Sequence, residues 1–386
     1  MDVIVEHEIK IIDKIFIQIF GFISLFIPKS NRIAFVRRSF SGSNATPVYE
    51  RMKAINPNLE ISIIDFGAFS QEIKFSNIIN KLKAYHKLIK CKVIVTTHGP
   101  VLKSIFKTKK QIYIELWHAF PTKKAGLYLD RMGNSGFVKY TDYFLSYSEF
   151  CTLLLNSRYG LPIDKYVVLG APRNDYLFSP HDDIYHDNFS KVIFYTPTFR
   201  ESRDAEKIKS LNLWFDDFSL VRLNEFLLQN NYLFVWKLHP SDENELLKLN
   251  DTPVYSNISL LTNRKLQGMK IDFYQLLALS DLLITDYSSI YADYLLLDKP
   301  LIFTPTDLDK FSAERGVLLT PYEVWVPGPI CLTQASLQAE LLRCLNEPDY
   351  YEKERKFMRD LFHKYQDGHS ADRVIEFILS KLDKNK

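Results

Sequence analysis

Residues 281–294, Asp-Leu-Leu-Ile-Thr-Asp-Tyr-Ser-Ser-Ile-Tyr-Ala-Asp-Tyr, constrain this chain more than any other stretch. The apolar run Leu282 to Thr285 reads as a buried parallel strand. It breaks at Asp286-Tyr287 and restarts with Ser288, Ser289 and apolar residues at helical spacing, Ile290, Tyr294 and Leu297. A strand, a tight loop and a serine-led helix start present backbone N–H groups and a positive dipole end to an anion. An ordinary N-cap is the plainer reading of the serines alone. In an open α/β sheet, ligands sit outside the carboxyl ends of the strands, where this loop must lie.

The rest of the chain repeats that grammar. Strands are expected at Asn31–Val36, Leu59–Phe66, Lys92–Thr96, Gln111–Leu116, Tyr143–Ser146 and Tyr166–Leu169, with helices between them. After an acidic, proline-containing linker over 176–190, strands are expected again at Lys191–Tyr195, Tyr232–Leu238, Leu282–Thr285 and Pro300–Thr304. A short one is expected within Thr252–Ser259, and the tail from Leu332 carries two or three amphipathic helices. Strands alternating with helices mean βαβ units and mainly parallel sheets. At 386 residues the chain exceeds one ordinary core, so two α/β domains with a cleft between them are expected. The expected segments are 1–30, 31–178, 190–362 and 363–386.

Charge and cysteines narrow the function classes. A net charge of +3 argues against a nucleic-acid binder driven by bulk charge. Cys91, Cys151, Cys331 and Cys344 lie far apart, without metal-ligand spacing, as scattered reduced thiols do. Ile15 to Ile27 is an uncharged apolar run flanked by Lys10, Lys14, Lys29 and Arg32. It is too short to span a hydrocarbon core and lacks a small-residue cleavage site. It suits either a helix lying in an anionic membrane surface or one packed on the protein. The lysines between Lys74 and Lys110 add positive charge to the same half of the chain.

Polar residues gather at the strand ends. His118 follows one expected strand by two residues and His239 follows another by one; Arg173, Pro197, Thr198, Arg200, Lys237, Thr285, Ser288, Ser289 and Asp293 follow or close others. Histidine, arginine, threonine and serine at one sheet edge suit transfer of a phosphoryl or glycosyl group from a nucleotide donor to a hydroxyl. A histidine would take the hydroxyl proton, and cationic and N–H donors would hold the phosphates. The chain lacks a P-loop, a Gly-x-Gly-x-x-Gly after a strand and a Gly-x-Ser-x-Gly elbow.

These residues resemble a known family. Trp117-His118-Ala119-Phe120-Pro121-Thr122-Lys123-Lys124-Ala125-Gly126 is similar to the Trp-His-Gly-Thr-Pro-x-Lys-Lys-x-Gly motif of the CDP-glycerol glycerophosphotransferases, the teichoic-acid primases and polymerases. Gly170 to Asp175, Tyr195 to Arg200, Lys237 to Pro240, Leu283 to Pro300, Glu314-Arg315-Gly316, Pro327 to Pro329 and Asp367-Gly368 continue the resemblance.

The resemblance implies a glycosyltransferase-B fold: two Rossmann-like domains with the last helix returning to the first. It implies attack of an acceptor hydroxyl on the β-phosphorus of CDP-glycerol, releasing CMP, without a metal or other cofactor. His118 would be the general base and His239 a second catalytic histidine. Arg173, Thr198, Lys237, Ser288 and Ser289 would hold the donor, with Pro197, Arg200 and Thr285 in the same motifs, and Asp293 would accept a donor hydroxyl. Expected partners are CDP-glycerol or CDP-ribitol, a lipid-linked saccharide acceptor and the cytoplasmic membrane surface, but no nucleic acid. A CDP-ribitol or capsule-polymer phosphotransferase, and a nucleotide-sugar glycosyltransferase of the same fold, are the alternatives. Ala119-Phe120 departs from the family's Gly-Thr, and a bulky aromatic there is expected to alter the acceptor or alditol taken. Lys237 replaces an arginine, a point charge for a bidentate fork.

Overall fold

The computed structural model describes residues 11–38, 41–65, 75–99, 108, 110–128, 135–198, 213, 215–237 and 255–383. The chain forms two compact units. The first runs to His118, resumes at Ala125–Asp175 and takes up the tail from Lys364; the second comprises Ala119–Lys124 and Tyr176–His363.

The first unit is built on a six-stranded parallel sheet: β1 (Ser30–Arg37), β2 (Ile61–Asp65), β3 (Cys91–Thr96), β4 (Ile112–Glu115), β5 (Tyr143–Ser146) and β6 (Tyr166–Val168). Their order is β2-β1-β3-β4-β5-β6. Side chains alternate between faces along each strand, so each strand feeds two cores. Ile33, Phe35, Val93, Val95 and Ile114 pack on one side against Ala45, Val48 and Met52 and against Val374, Ile375 and Ile378 of the tail. Ala34, Val36, Ile94 and Tyr113 pack on the other against Ala84, Tyr85 and Leu88 of the helix Phe75–Lys90. Burial on both faces is why these runs read as near-continuous apolar segments.

The second unit holds five parallel strands: β7 (Lys191–Tyr195), β8 (Tyr232–Trp236), β9 (Ile258–Leu260), β10 (Leu282–Thr285) and β11 (Leu301–Phe303). They are ordered β11-β10-β7-β8-β9. Three helices follow, Gln334–Asn346, Glu352–Phe362 and Ser370–Asp383. The architecture is α/β with two Rossmann-like sheets, as the sequence suggests, and the four cysteines are buried free thiols.

The last helix packs into the first unit's core, and one carboxylate holds its start. Asp175 accepts the N–H groups of Ser370 (2.9 Å) and Ala371 (2.7 Å). At Gly170, with φ +82°, a Cβ would lie 2.4 Å from Ser370 Oγ, so only glycine lets the chain pass there.

The helix Ile11–Phe26 divides by face. Phe20 stacks on Tyr85 at 5.3 Å, and Ser24 is fully buried. Lys29 donates to the Ser24 hydroxyl (2.9 Å) and to the carbonyls of Ser24 and Ile89 (2.7 and 2.6 Å). Ile19, Phe22, Ile23, Leu25 and Phe26 are 40–72% exposed. Among the described residues no helix is long and apolar enough to cross a membrane. Of the lysines between Lys74 and Lys110, Lys83, Lys87 and Lys110 are exposed, but Lys92 is buried and donates to the Leu382 carbonyl. Lys74, Lys103, Lys107 and Lys109 lie outside the described residues.

Replacing Asp175 with alanine leaves two first-turn N–H groups without their acceptor. The expected loss is ~1–2 kcal/mol, read as a lower urea midpoint for the first unit.

Candidate active site

In doubly wound sheets the carboxyl edge opens where strand order reverses. In the first unit the reversal falls between β1 and β3, whose ends lead into Ser43-Asn44 and Thr97-His98-Gly99. β4, next to β3, ends in Glu115 and delivers Leu116-Trp117-His118 at the same edge. Trp117 has φ +54°, a left-handed conformation that costs a bulky residue energy and must be held by its surroundings.

It is held on several sides. Trp117 N–H donates to Glu115 Oε1 (2.9 Å), and the Asn44 amide donates to the carbonyls of Leu116 and Trp117 (3.0 Å each). The indole packs against Phe144 and Tyr159. The Arg173 guanidinium donates to the His118 carbonyl, while Arg173 N–H donates to Asn44 Oδ1 (3.0 Å). These contacts fix the half-buried His118 ring. Its Nδ1 lies 2.9 Å from the Thr97 carbonyl, which can only accept, so Nδ1 carries the proton and Nε2 is the basic nitrogen. His98 stacks on it, ring centroids 4.1 Å apart and 3° from parallel.

In the second unit the reversal falls between β7 and β10. The loops that leave them are Thr196-Pro197-Thr198 and Asp286-Tyr287-Ser288-Ser289, and one carboxylate ties them together. Buried Asp286 accepts the N–H groups of Thr198 (2.8 Å) and Tyr287 (2.6 Å) through Oδ1. Tyr322 donates to its carbonyl (2.8 Å), and Tyr287 stacks on Phe311 at 4.0 Å. Thr285 is fully buried and its hydroxyl donates to the Thr196 carbonyl (2.8 Å). Ser288 and Ser289 are half-exposed, and the Ser289 side chain makes no capping hydrogen bond. The helix after them is brief, Ile290–Tyr294 followed by a 3-10 turn, so individual N–H and hydroxyl donors outweigh any macrodipole.

Two lysines lie along this edge, Lys237 by its backbone and Lys123 by its side chain. Lys237 follows β8 and its N–H donates to the Tyr195 carbonyl (3.0 Å). Lys123 Nζ lies 3.5 Å from Thr198 Oγ1, because residues 122–124 are stitched to 316–318. The N–H groups of Lys124 and Leu318 donate to the carbonyls of Gly316 (3.0 Å) and Thr122 (2.9 Å), so two motifs distant in sequence share one site.

Several of the expected site residues have partners that their spacing does not reveal. Arg173, expected to hold the donor, sits in the first unit, where its guanidinium donates to the His118 carbonyl. Asp293, expected to meet a donor hydroxyl, is fully buried and takes the Tyr274 hydroxyl at 2.7 Å. Phe120, expected to alter the acceptor or alditol, is 1% exposed and stacked on Phe362 at 4.2 Å. Pro197 is half-buried between Thr196 and Thr198. His239 and Arg200 lie outside the described residues.

Glu115, Asn44 and Asp286 carry more of the site's construction than their spacing suggests. The visible signal for Glu115 was a charge closing an otherwise apolar strand, Ile-Tyr-Ile-Glu. Among the described residues no group of three or more histidine, cysteine or acidic side chains is placed to hold a metal ion.

The chain is similar to known proteins. The teichoic acid glycerol-phosphate primase of Bacillus subtilis is 28% identical, over 78% of this chain and 77% of its own length. The teichoic acid ribitol-phosphate primase of Bacillus spizizenii is also 28% identical, over 91% and 90%. The solved wall teichoic acid polymerase TagF shares the fold, with a TM-score of 0.78 over 97% of this chain and 93% of that one, at 22% identity. A Staphylococcus aureus MnaA–UDP structure aligns more loosely, with a TM-score of 0.52. The family profile described as CDP-glycerol:poly(glycerophosphate) glycerophosphotransferase matches residues 19–380, and the chain belongs to that family.

Proposed function

We propose that this protein transfers an alditol phosphate from a CDP-alditol, CDP-glycerol in the first reading, to a hydroxyl of a lipid-linked saccharide or growing polymer, releasing CMP. The observation that carries the proposal is the His118 ring. Its Nδ1 proton is committed to the Thr97 carbonyl, which leaves Nε2 to accept the acceptor's hydroxyl proton. The alkoxide-like oxygen then attacks the β-phosphorus, and the bond from that phosphorus to the CMP oxygen breaks. Lys123, Lys237, Ser288 and Ser289 supply charge and donors for the pyrophosphate, in a scheme that calls on no metal. Glycerol- and ribitol-phosphate relatives are equally similar at 28%, so ribitol is the second reading for the alditol.

The protein is further proposed to work at the cytoplasmic face of the membrane. The support is the helix Ile11–Phe26, whose buried face rests on the protein while five large apolar side chains stay exposed. Such a face inserts into the headgroup boundary beside anionic lipid.

Incubation with CDP-glycerol or CDP-ribitol and a lipid-linked acceptor analogue, scored by CMP and product mass, should give one alditol-phosphate addition or more. Turnover of a sugar nucleotide with neither CDP-alditol used would contradict the reading. His118→Ala should lower kcat by ~10²-fold or more. In sedimentation with anionic vesicles, wild type should pellet and the double variant Phe22→Ser, Phe26→Ser should stay largely in the supernatant; equal pelleting would exclude this face as the membrane contact.

A further inference from the structure

Four buried oxygens behind the His118 turn form a chain: Glu115 Oε2, Thr96 Oγ1, Tyr113 Oη and the Gly99 carbonyl. Thr96 Oγ1 is in short contact with Glu115 Oε2 and lies 2.8 Å from Tyr113 Oη, which lies 3.0 Å from the Gly99 carbonyl. Each of these three contacts needs a proton between its oxygens. Thr96 and Tyr113 bring one apiece and the carbonyl brings none. The third must reside on Glu115. With it, the chain runs one way: Glu115 donates to Thr96, Thr96 to Tyr113, and Tyr113 to Gly99. Without it, two lone pairs face each other in a site where Glu115 and Thr96 are fully buried.

The same carboxyl accepts Trp117 N–H on Oε1 (2.9 Å) and Gly99 N–H on Oε2 (3.1 Å). It therefore bridges the turn that carries His98 to the turn that carries His118, whose rings stack. We propose that Glu115 is protonated in the folded protein and is the positioning residue that sets the His118 ring.

Burial pushes this carboxyl up to about 7, against the contact with Thr96 and the N–H groups of Trp117 and Gly99, which pull it down. The titratable groups on the elements around it are Tyr113 on its own strand, His98 and His118 on the two turns, and Asp142 ahead of β5, which accepts the Tyr113 N–H. The sign follows from a raised acid. The proton is present below about 7 and is lost as pH rises through that value, so the donation from Glu115 to Thr96 goes on the alkaline side while the carboxylate still accepts both N–H groups.

This inference rests on His118 being the base for its effect on rate, but not for the proton itself. The infrared difference between wild type and E115Q at pH 6 should contain the carbonyl band of a protonated carboxylic acid, fading towards pH 9. Absence of that band overturns the assignment, whether or not the protein transfers alditol phosphate.

In the transfer assay, E115A should lower kcat by ~10-fold or more with the donor KM little changed, because the ring loses its setting rather than the donor its ligands. E115Q keeps a donor towards Thr96 and an acceptor for Trp117, and gives up only the acceptor of the Gly99 N–H. It should recover most of that rate and flatten the profile above pH 7. Thr96→Val, which cuts the chain at its middle, should act like E115A should the latter fail to fold. An E115A or T96V enzyme with wild-type kcat, or an E115Q enzyme as slow as E115A, overturns the positioning role.

Discussion

A left-handed tryptophan shapes the carboxyl edge of the first unit's sheet. Trp117 turns the chain sharply after β4, and a bulky residue takes that conformation only when its surroundings over-determine it. Here they do so from three distant parts of the sequence: Asn44 after β1, Glu115 at the end of β4, and Arg173 in the segment that follows β6. The outcome is an imidazole with a chosen tautomer at the carboxyl edge of a parallel sheet. The strain is local and the restraint is spread over the first unit, an economical way to hold one nitrogen in place.

In the proposed reaction the second unit has a different task, met by similar means. An anionic pyrophosphate calls for several N–H and cationic donors at one edge, and parallel strands bring their carboxyl ends together there. Asp286 turns two separate loops into one platform by accepting an N–H from each. The segment after His118 then adds Lys123, held by backbone pairing with residues 316–318. In the proposed scheme the peptide after His118 thereby adds to the donor-holding set, and its motif residues are contiguous in sequence while their partners are not.

Much of this was legible in the residues. Strands β5, β7 and β10 match their expected limits because short apolar runs bounded by polar breaks leave little choice of register. The site's edge was legible for the same reason: a polar residue just after a buried parallel strand can emerge only at the carboxyl end. Partners were not legible. Spacing cannot tell that Arg173 meets a carbonyl 55 residues earlier, that Phe120 stacks on Phe362, or that Asp293 is sealed beneath Tyr274. The helix after Ser289 is also shorter than its apolar spacing implied, because it tightens into a 3-10 turn that closes at Asp298 with φ +51°. In each case tertiary packing decides what periodicity leaves open.

The central claim is that the bond made and broken is at phosphorus. Its most direct test is the identity of the nucleotide released in a single turnover of a CDP-alditol with an acceptor. Attack at the β-phosphorus releases CMP and leaves the alditol phosphate on the acceptor. Release of CDP, with the alditol transferred bare of its phosphate, would contradict the account.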